Sequence, residues 1–352
     1  RSPTSDNGTL VLANRWVREI TNSMVSFDTA EILLYKYDQD GLLLFSKKHY
    51  SENGFGIARD FCATSDGGFA IVGSTLTELP NFNTESRPFI IKVDSNGNEQ
   101  WQEIIQSFGS YDRVVKDASD NISIIFTETD SFGLTKLDVQ GNTLWYKKFK
   151  NVADADNVYL HGIISLNGGE SVIAGHARVD SIQGLYLPFL RKVDSFGNLV
   201  WQKVYPKHAG YTERHSIVTT PNGGFICLNI MPEFQAYLFK TDSIGNLVKE
   251  DTFVNENERK YFFDIVAVNG GYVLTGSLAS SSGANGKVFA VKIDDDLNQI
   301  WSNTYGSLVY RQQGISTSQS EDGKLVIVGD AVEVNDTVTR MVLIKTDSLG
   351  RS

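Results

Sequence analysis

Seven times along the chain a lysine, one intervening residue and an aspartate lead into a tight turn: Lys36/Asp38, Lys92/Asp94, Lys136/Asp138, Lys192/Asp194, Lys240/Asp242, Lys292/Asp294 and Lys345/Asp347. Successive lysines are 56, 44, 56, 48, 52 and 53 residues apart. A period that drifts by a few residues around a mean is the mark of one structural unit repeated with loops of variable length.

Laid out on Asp94, one unit reads as four short strands: residues 56–64, 69–74, 89–94 and 99–105, joined by the turns Ser65-Asp66-Gly67-Gly68 and Ser95-Asn96-Gly97-Asn98 and by one longer loop. The first turn recurs as Ser5-Asp6-Asn7-Gly8, Ser119-Asp120-Asn121, Asn167-Gly168-Gly169, Asn222-Gly223-Gly224, Asn269-Gly270-Gly271 and Asp322-Gly323. These residues supply the positive backbone angles of a hairpin. The second turn, Asp-x-x-Gly, recurs at Gly41, Gly97, Gly141, Gly197, Gly245 and Gly350, and its aspartate is expected to accept its own backbone amides. The sixth copy has Leu297 in the glycine slot, so that hairpin is expected to take a different turn.

Four residues past the glycine stands a large ring in most copies, Phe45, Trp101, Trp145, Trp201 and Trp301, with Lys249 the exception. A bulky ring at one fixed strand position fits a wedge between neighbouring sheets, because a lone four-stranded sheet cannot bury both faces. Trp16 stands outside this register. Units of four antiparallel strands in this number give an all-β chain, a seven-bladed β-propeller of four-stranded antiparallel blades, with six or eight blades as alternatives. The repeats run from end to end without a linker, so 1–352 is expected to be a single domain. The first unit lacks most of its first strand and the last unit its fourth, for about twenty-six strands in all.

The run Lys-x-Asp-Ser-x-Gly-Asn-x-x-Trp, followed by a hairpin such as Ser-Asp-Gly-Gly-Phe-x-Ile-Val-Gly-Ser, resembles the propeller repeat of secreted, surface-anchored or lipoprotein-like Bacteroidetes proteins, many of unknown function. The resemblance covers essentially the whole chain. It implies an extracytoplasmic place, the periplasm or cell surface, with lipid anchoring through a removed N-terminal segment. The layout is also distantly similar to quinoprotein dehydrogenase repeats, but it lacks their turn threonine and their count of eight blades. Sialidase Asp-boxes differ too, since their aspartate and glycine are one residue apart, whereas two residues separate Asp94 from Gly97.

Composition narrows the partners. A formal charge of −10, with 32 Lys and Arg spread over every repeat, argues against a nucleic-acid surface. No apolar run reaches the length of a membrane span, and the opening residues carry no hydrophobic signal core. The abundance of Asn, Ser, Asp and Gly leans toward a surface or periplasmic protein. Cys62 and Cys227 lie in apolar runs and read as free, buried thiols.

In a propeller, function gathers at a mouth of the channel, so residues that vary at one fixed point of the repeat carry the information. The opening position of the first strand holds Arg59, Arg113, His161, His215, Phe263 and Gln313. Such a collar suits an anion or a ligand bearing carboxylates or hydroxyls. The alternative is a solvated channel lining whose cations pair with Asp60, Asp112, Glu213 and Asp264. Tyr111, Tyr159, Tyr211, Tyr261 and Tyr310 precede the same strand once per unit, either as a rim for flat ligands or, preferably, as packing at the blade crossing.

The five histidines show no zinc-site spacing, and no nucleophile elbow, catalytic Cys/His arrangement or phosphate loop is present. Asp38-Gln39-Asp40-Gly41 and Asp294-Asp295-Asp296 have the look of calcium ligands without the spacing of an EF-hand loop, so no cofactor is expected, with calcium the one candidate. The chain reads as a monomeric, non-catalytic module that binds a small molecule, a glycan or a protein at one mouth. The rivals are a glycan-active hydrolase or lyase, for which the loops 76–88 and 176–188 offer Glu78, Glu85 and Asp180, and a structural subunit of a surface assembly.

Overall fold

The structure is a computed structural model and describes residues 2–3, 8–21, 24–50, 56–78, 84–105, 109–128, 131–149, 152, 157–180, 185–205, 215–230, 236–253, 259–279, 286–307, 310–320, 322–333 and 339–352. It is all β apart from one short 3-10 turn, Asn167–Gly169, and forms a seven-bladed β-propeller. The blades span residues 2–49, 56–104, 110–149, 157–204, 215–253, 259–305 and 310–346. Within each, the strands are ordered in space as they are in sequence, first to fourth. Blade seven has three described strands, and a single parallel bridge, Gly286 to Arg311, ties its first strand to blade six. Blade one has a short first strand, Ser2–Pro3, so the described strands number twenty-seven, one more than the repeat count suggests.

Two compact units make up the chain: Arg1–Val152, Asn157–Ile173 and Lys192–Val200 form unit one, and Ala153–Asp156, Ala174–Arg191 and Trp201–Ser352 form unit two.

Each unit is built by stacking blades face to face. Alternation along a strand sends successive side chains to opposite faces. In blade two Phe69, Ile71, Phe89, Ile91 and Val93 face Leu10, Ile32 and Leu34 of blade one, while Ala70, Val72 and Ile90 face Tyr111, Val114, Ile124 and Phe126 of blade three. Unit two repeats the arrangement: Phe262, Leu274, Phe289 and Val291 of blade six pack on Ile226, Leu228 and Leu238 of blade five, and Val273, Val288 and Ala290 on Leu325 and Ile327 of blade seven. The bulkier face of each of these middle blades therefore looks backward along the chain and the smaller face forward.

The wedge is a ring on a glycine. A Cβ built on Gly97 would lie 2.8 Å from Phe45, on Gly141 3.0 Å from Trp101, on Gly197 2.7 Å from Trp145, on Gly245 2.8 Å from Trp201, and on Gly350 2.7 Å from Trp301. Each of these glycines has a positive φ, from 73° at Gly350 to 90° at Gly141, so the turn and the ring demand the same residue.

The sixth turn corrects the expectation from sequence. Leu297 has φ 62° and keeps the hydrogen bonds of its siblings, Leu297 N to Asp294 O at 3.1 Å and Asp294 N to Asn298 O at 3.0 Å. The geometry is unchanged, and the leucine side chain is buried among Phe289, Ile293 and Ile226. Left-handed backbone costs a leucine about 1–2 kcal/mol, which burial of its side chain offsets by about 1.5–3 kcal/mol.

The Asp-x-x-Gly aspartates act as expected: Asp94 Oδ1 accepts Asn96 N at 2.9 Å and Asn98 N at 2.8 Å, and Asp38, Asp138, Asp194, Asp242, Asp294 and Asp347 each accept two backbone amides in the same way. The repeated lysine clamps hairpin turns. Lys92 Nζ meets Asp66 Oδ2 at 2.7 Å, Lys136 meets Asp117 Oδ2 at 2.7 Å and Lys192 meets Glu170 Oε2 at 2.7 Å. Both cysteines are free and buried, and burial pushes the Cys62 thiol up to about 12. Among the described residues no helix is long and apolar enough to cross a membrane.

Candidate functional site

The first strands of successive blades are neighbours within each unit, which places them innermost. A bulge marks one fixed position of the first strand. Among the described pairings, the first strand skips one residue against the second at Arg59 in blade two, Asp112 in blade three, Phe263 in blade six and Ile315 in blade seven. An extra residue in one strand bends the backbone and re-aims its side chain. Each stands five residues before the one that opens the first turn, as 59 precedes Thr64 and 112 precedes Asp117, and His161 holds that place before Leu166.

This register sorts the expected collar. Arg59, His161, His215 and Phe263 hold the same register position in their own blades, whereas Arg113 lies one residue after the bulge and Gln313 two residues before it. Arg113 pairs with Ile125, and its Nη1 donates to the Asp112 carbonyl at 2.8 Å. Gln313 Nε2 donates to Asp330 Oδ2 at 3.0 Å. His161 and Phe263 are half-buried, and the side chain of His215 lies outside those described.

The tyrosines do not form one class. Tyr111 is buried in the core between blades two and three, and burial drives its hydroxyl pKa well above the ordinary value. Tyr159 is 38% exposed, and Tyr261 is half-buried opposite Ser277. Tyr211 lies outside the described residues, as does the side chain of Tyr310.

Unit one brings together a charged cluster. Arg59 Nε stands 3.8 Å from Asp112 Oδ1, an ion pair too long for a hydrogen bond, and the arginine side chain is 46% exposed. Asp112 accepts Ser110 Oγ at 2.8 Å and Thr127 Oγ1 at 2.7 Å. Burial pushes its carboxyl above the ordinary carboxylate range, outweighing the two hydroxyls and the Arg59 and Arg113 guanidinium groups. Asp66 and Asp117 on the turn side of the same blades shift downward instead, because Lys92 and Lys136 hold them against the effect of burial, and Asp120 does so through hydrogen bonds from Ser65 and then from Lys116.

The carboxylates expected to neutralise the collar divide by role. Asp112 pairs with Arg59, but Asp60 Oδ2 accepts Val114 N at 3.0 Å and so straps blade two to blade three. Asp264 does the same in unit two, accepting Thr317 N at 2.9 Å and the hydroxyls of Ser216 and Ser316 at 3.1 Å each. Glu213 lies outside the described residues, as do the side chains of Glu78, Glu85 and Asp180. Sequence reasoning named Asp112 only as a counter-charge. The signal that marks it as more is the bulge, which depends on its pairing partners.

The blades define a β-propeller in which, in unit one, the first strands of blades two and three bring Arg59 and Arg113 to Asp112, whose carboxyl pKa is raised by burial. No protein-family model matches the chain, and a comparison with curated proteins found no match. Among solved structures, a protein of unknown function from Dyadobacter fermentans aligns at TM-score 0.57 with 9% identity, over 84% of this chain and 96% of that one. A protein from Lactobacillus plantarum aligns at 0.57 with 12% identity, over 91% and 93%. Virginiamycin B lyase from Staphylococcus aureus aligns at 0.51 with 11% identity, over 96% and 100%. Identities this low speak to the fold alone.

Proposed function

We propose that the chain is a non-catalytic binding module that takes an anionic small ligand, a carboxylate or an acidic sugar, where the first strands of blades two to four open. The observation that carries this reading is the Arg59–Asp112 pair. Arg59 keeps nearly half of its side chain in solvent, and its only tie to Asp112 is a long one, so its forked donors are available for bidentate recognition. Arg113 and His161 add donors on the adjacent blades. The Asn-, Ser-, Asp- and Gly-rich composition supports an extracytoplasmic setting.

A thermal-shift screen against uronic acids, small carboxylates, neutral sugars and calcium tests the reading, because a ligand that binds only the folded state raises the melting temperature. Acidic ligands should shift the wild type and leave Arg59→Ala/Arg113→Ala unmoved. A shift from neutral sugars alone, equal in the variant, would overturn it.

Asp112 favours a second reading, a hydrolase or lyase. A buried carboxyl whose pKa burial raises, held by two hydroxyls beside Arg59, is suited to proton transfer, and one fold neighbour is a lyase by name. On this reading Asp112→Asn abolishes turnover of a glycan or ester while ligand binding persists. On the binding reading no turnover is seen in the wild type.

A further inference from the structure

We propose that the outer edge of blades five and six is a docking surface for a basic, apolar segment of another protein. This joint breaks the repeat. Across the described joints a ring meets a glycine, but here Lys249 and Leu297 take those places. Leu297 closes the core from within, and the Lys249 ammonium crosses the joint to the Asp296 carbonyl oxygen.

The surface left outside has two properties. It is apolar where an edge strand is ordinarily charged. On the fourth strand of blade five, Leu247–Phe253, and the turn before it, Ile244 is 58% exposed, Leu247 41% and Val248 62%. Val248 sits at a bulge, since pairing passes from Lys240–Lys249 to Thr241–Leu247, and the bulge presents its side chain outward. It is also acidic. Asp251 and Asp296 are exposed beside these residues; Lys249, itself exposed, donates to the Asp296 carbonyl oxygen, and Lys240 meets Asp295 Oδ2 at 2.6 Å.

An apolar patch rimmed by the exposed carboxylates of Asp251 and Asp296 fits a partner that brings both apolar side chains and positive charge. A second copy of this chain fits poorly, because the whole protein carries −10 and would set like charges against each other. Anionic bilayers are disfavoured for the same reason. This surface lies on the outer strands and is independent of the inner-strand site.

The test is fluorescence anisotropy with a labelled peptide of alternating lysine and leucine, beside one of alternating glutamate and leucine. The lysine peptide should bind the wild type. Ile244→Ser/Leu247→Ser/Val248→Ser should weaken binding about tenfold or more. Asp251→Asn/Asp296→Asn, which keeps the apolar residues, should weaken it less and reduce its salt dependence. All five side chains are exposed, and a thermal melt of each variant confirms folding. Equal binding to the triple-serine variant, binding of the glutamate peptide, or no binding to the wild type overturns the proposal. So does self-association on sedimentation that the triple variant abolishes, which would assign the face to a second copy.

Discussion

Lys249 and Leu297 occupy, at one joint, the two places that elsewhere hold a ring and the glycine beneath it, and the exchange is mutual. A leucine at 297 would strike an indole at 249, and a glycine at 297 would leave a lysine spanning a void. The two departures from the repeat therefore compensate one another.

A double-mutant cycle reads that compensation. Lys249→Trp and Leu297→Gly should each destabilise, the first by a clash with the leucine and the second by about 2–4 kcal/mol from lost burial and the cavity left. The double variant should be more stable than the sum of the singles by about 1–3 kcal/mol in urea unfolding.

At an ordinary joint the same geometry predicts an intolerant glycine. Gly245 has φ 80°, and a Cβ there would lie 2.8 Å from Trp201. Gly245→Ala should cost about 1–3 kcal/mol. Gly41→Ala, at φ 86° with nothing within 4 Å of its Cβ, isolates the backbone part and should cost less. Midpoints of thermal unfolding compare the two.

Lys136 and Asp117 form an ion pair whose side chains are 4% and 3% exposed. Lys136→Met strands a buried carboxylate and should cost about 3 kcal/mol, whereas Lys136→Met/Asp117→Asn should recover much of the loss. Burial alone would raise the Asp117 carboxyl, but the Lys136 and Asn121 hydrogen bonds hold it below 3.8. Its contribution is therefore present above the unfolded value and lost as pH falls through the folded one. The wild type and Lys136→Met should converge in stability toward the acid end of a pH series of urea melts.

His176 is buried edge-on to Tyr186, with ring centroids 5.1 Å apart, and burial pulls its pKa down to about 3. The unfolded chain takes up a proton there near pH 6.5, so stability falls as pH drops from 6.5 toward 3, with a limiting slope of about 1.4 kcal/mol per pH unit. His176→Gln should flatten the stability profile across that interval.

Blade number, turn chemistry and the wedge are legible from spacing, because each is a local pattern repeated: Asp94 and its six counterparts all accept their own amides. The partner of the wedge is not legible, since the contact of Trp145 with Gly197 crosses about fifty residues. Leu297 misleads because burial outweighs backbone preference. The register of the expected collar residues is not legible. A bulge shifts the strand by one residue, so the level of Arg59 is shared in blade three by Asp112 rather than by Arg113, and only the pairing shows it. The elevation of the Asp112 pKa likewise arises from its burial in the folded chain.

The most direct test of the binding account is calorimetric titration of the wild type and Arg59→Ala with galacturonate and with a neutral galactose control. The account predicts saturable heat from the acid alone and an affinity at least about tenfold weaker in the variant, roughly 1.4 kcal/mol. Equal affinities in the two proteins, or no heat from the acid in either, would contradict it.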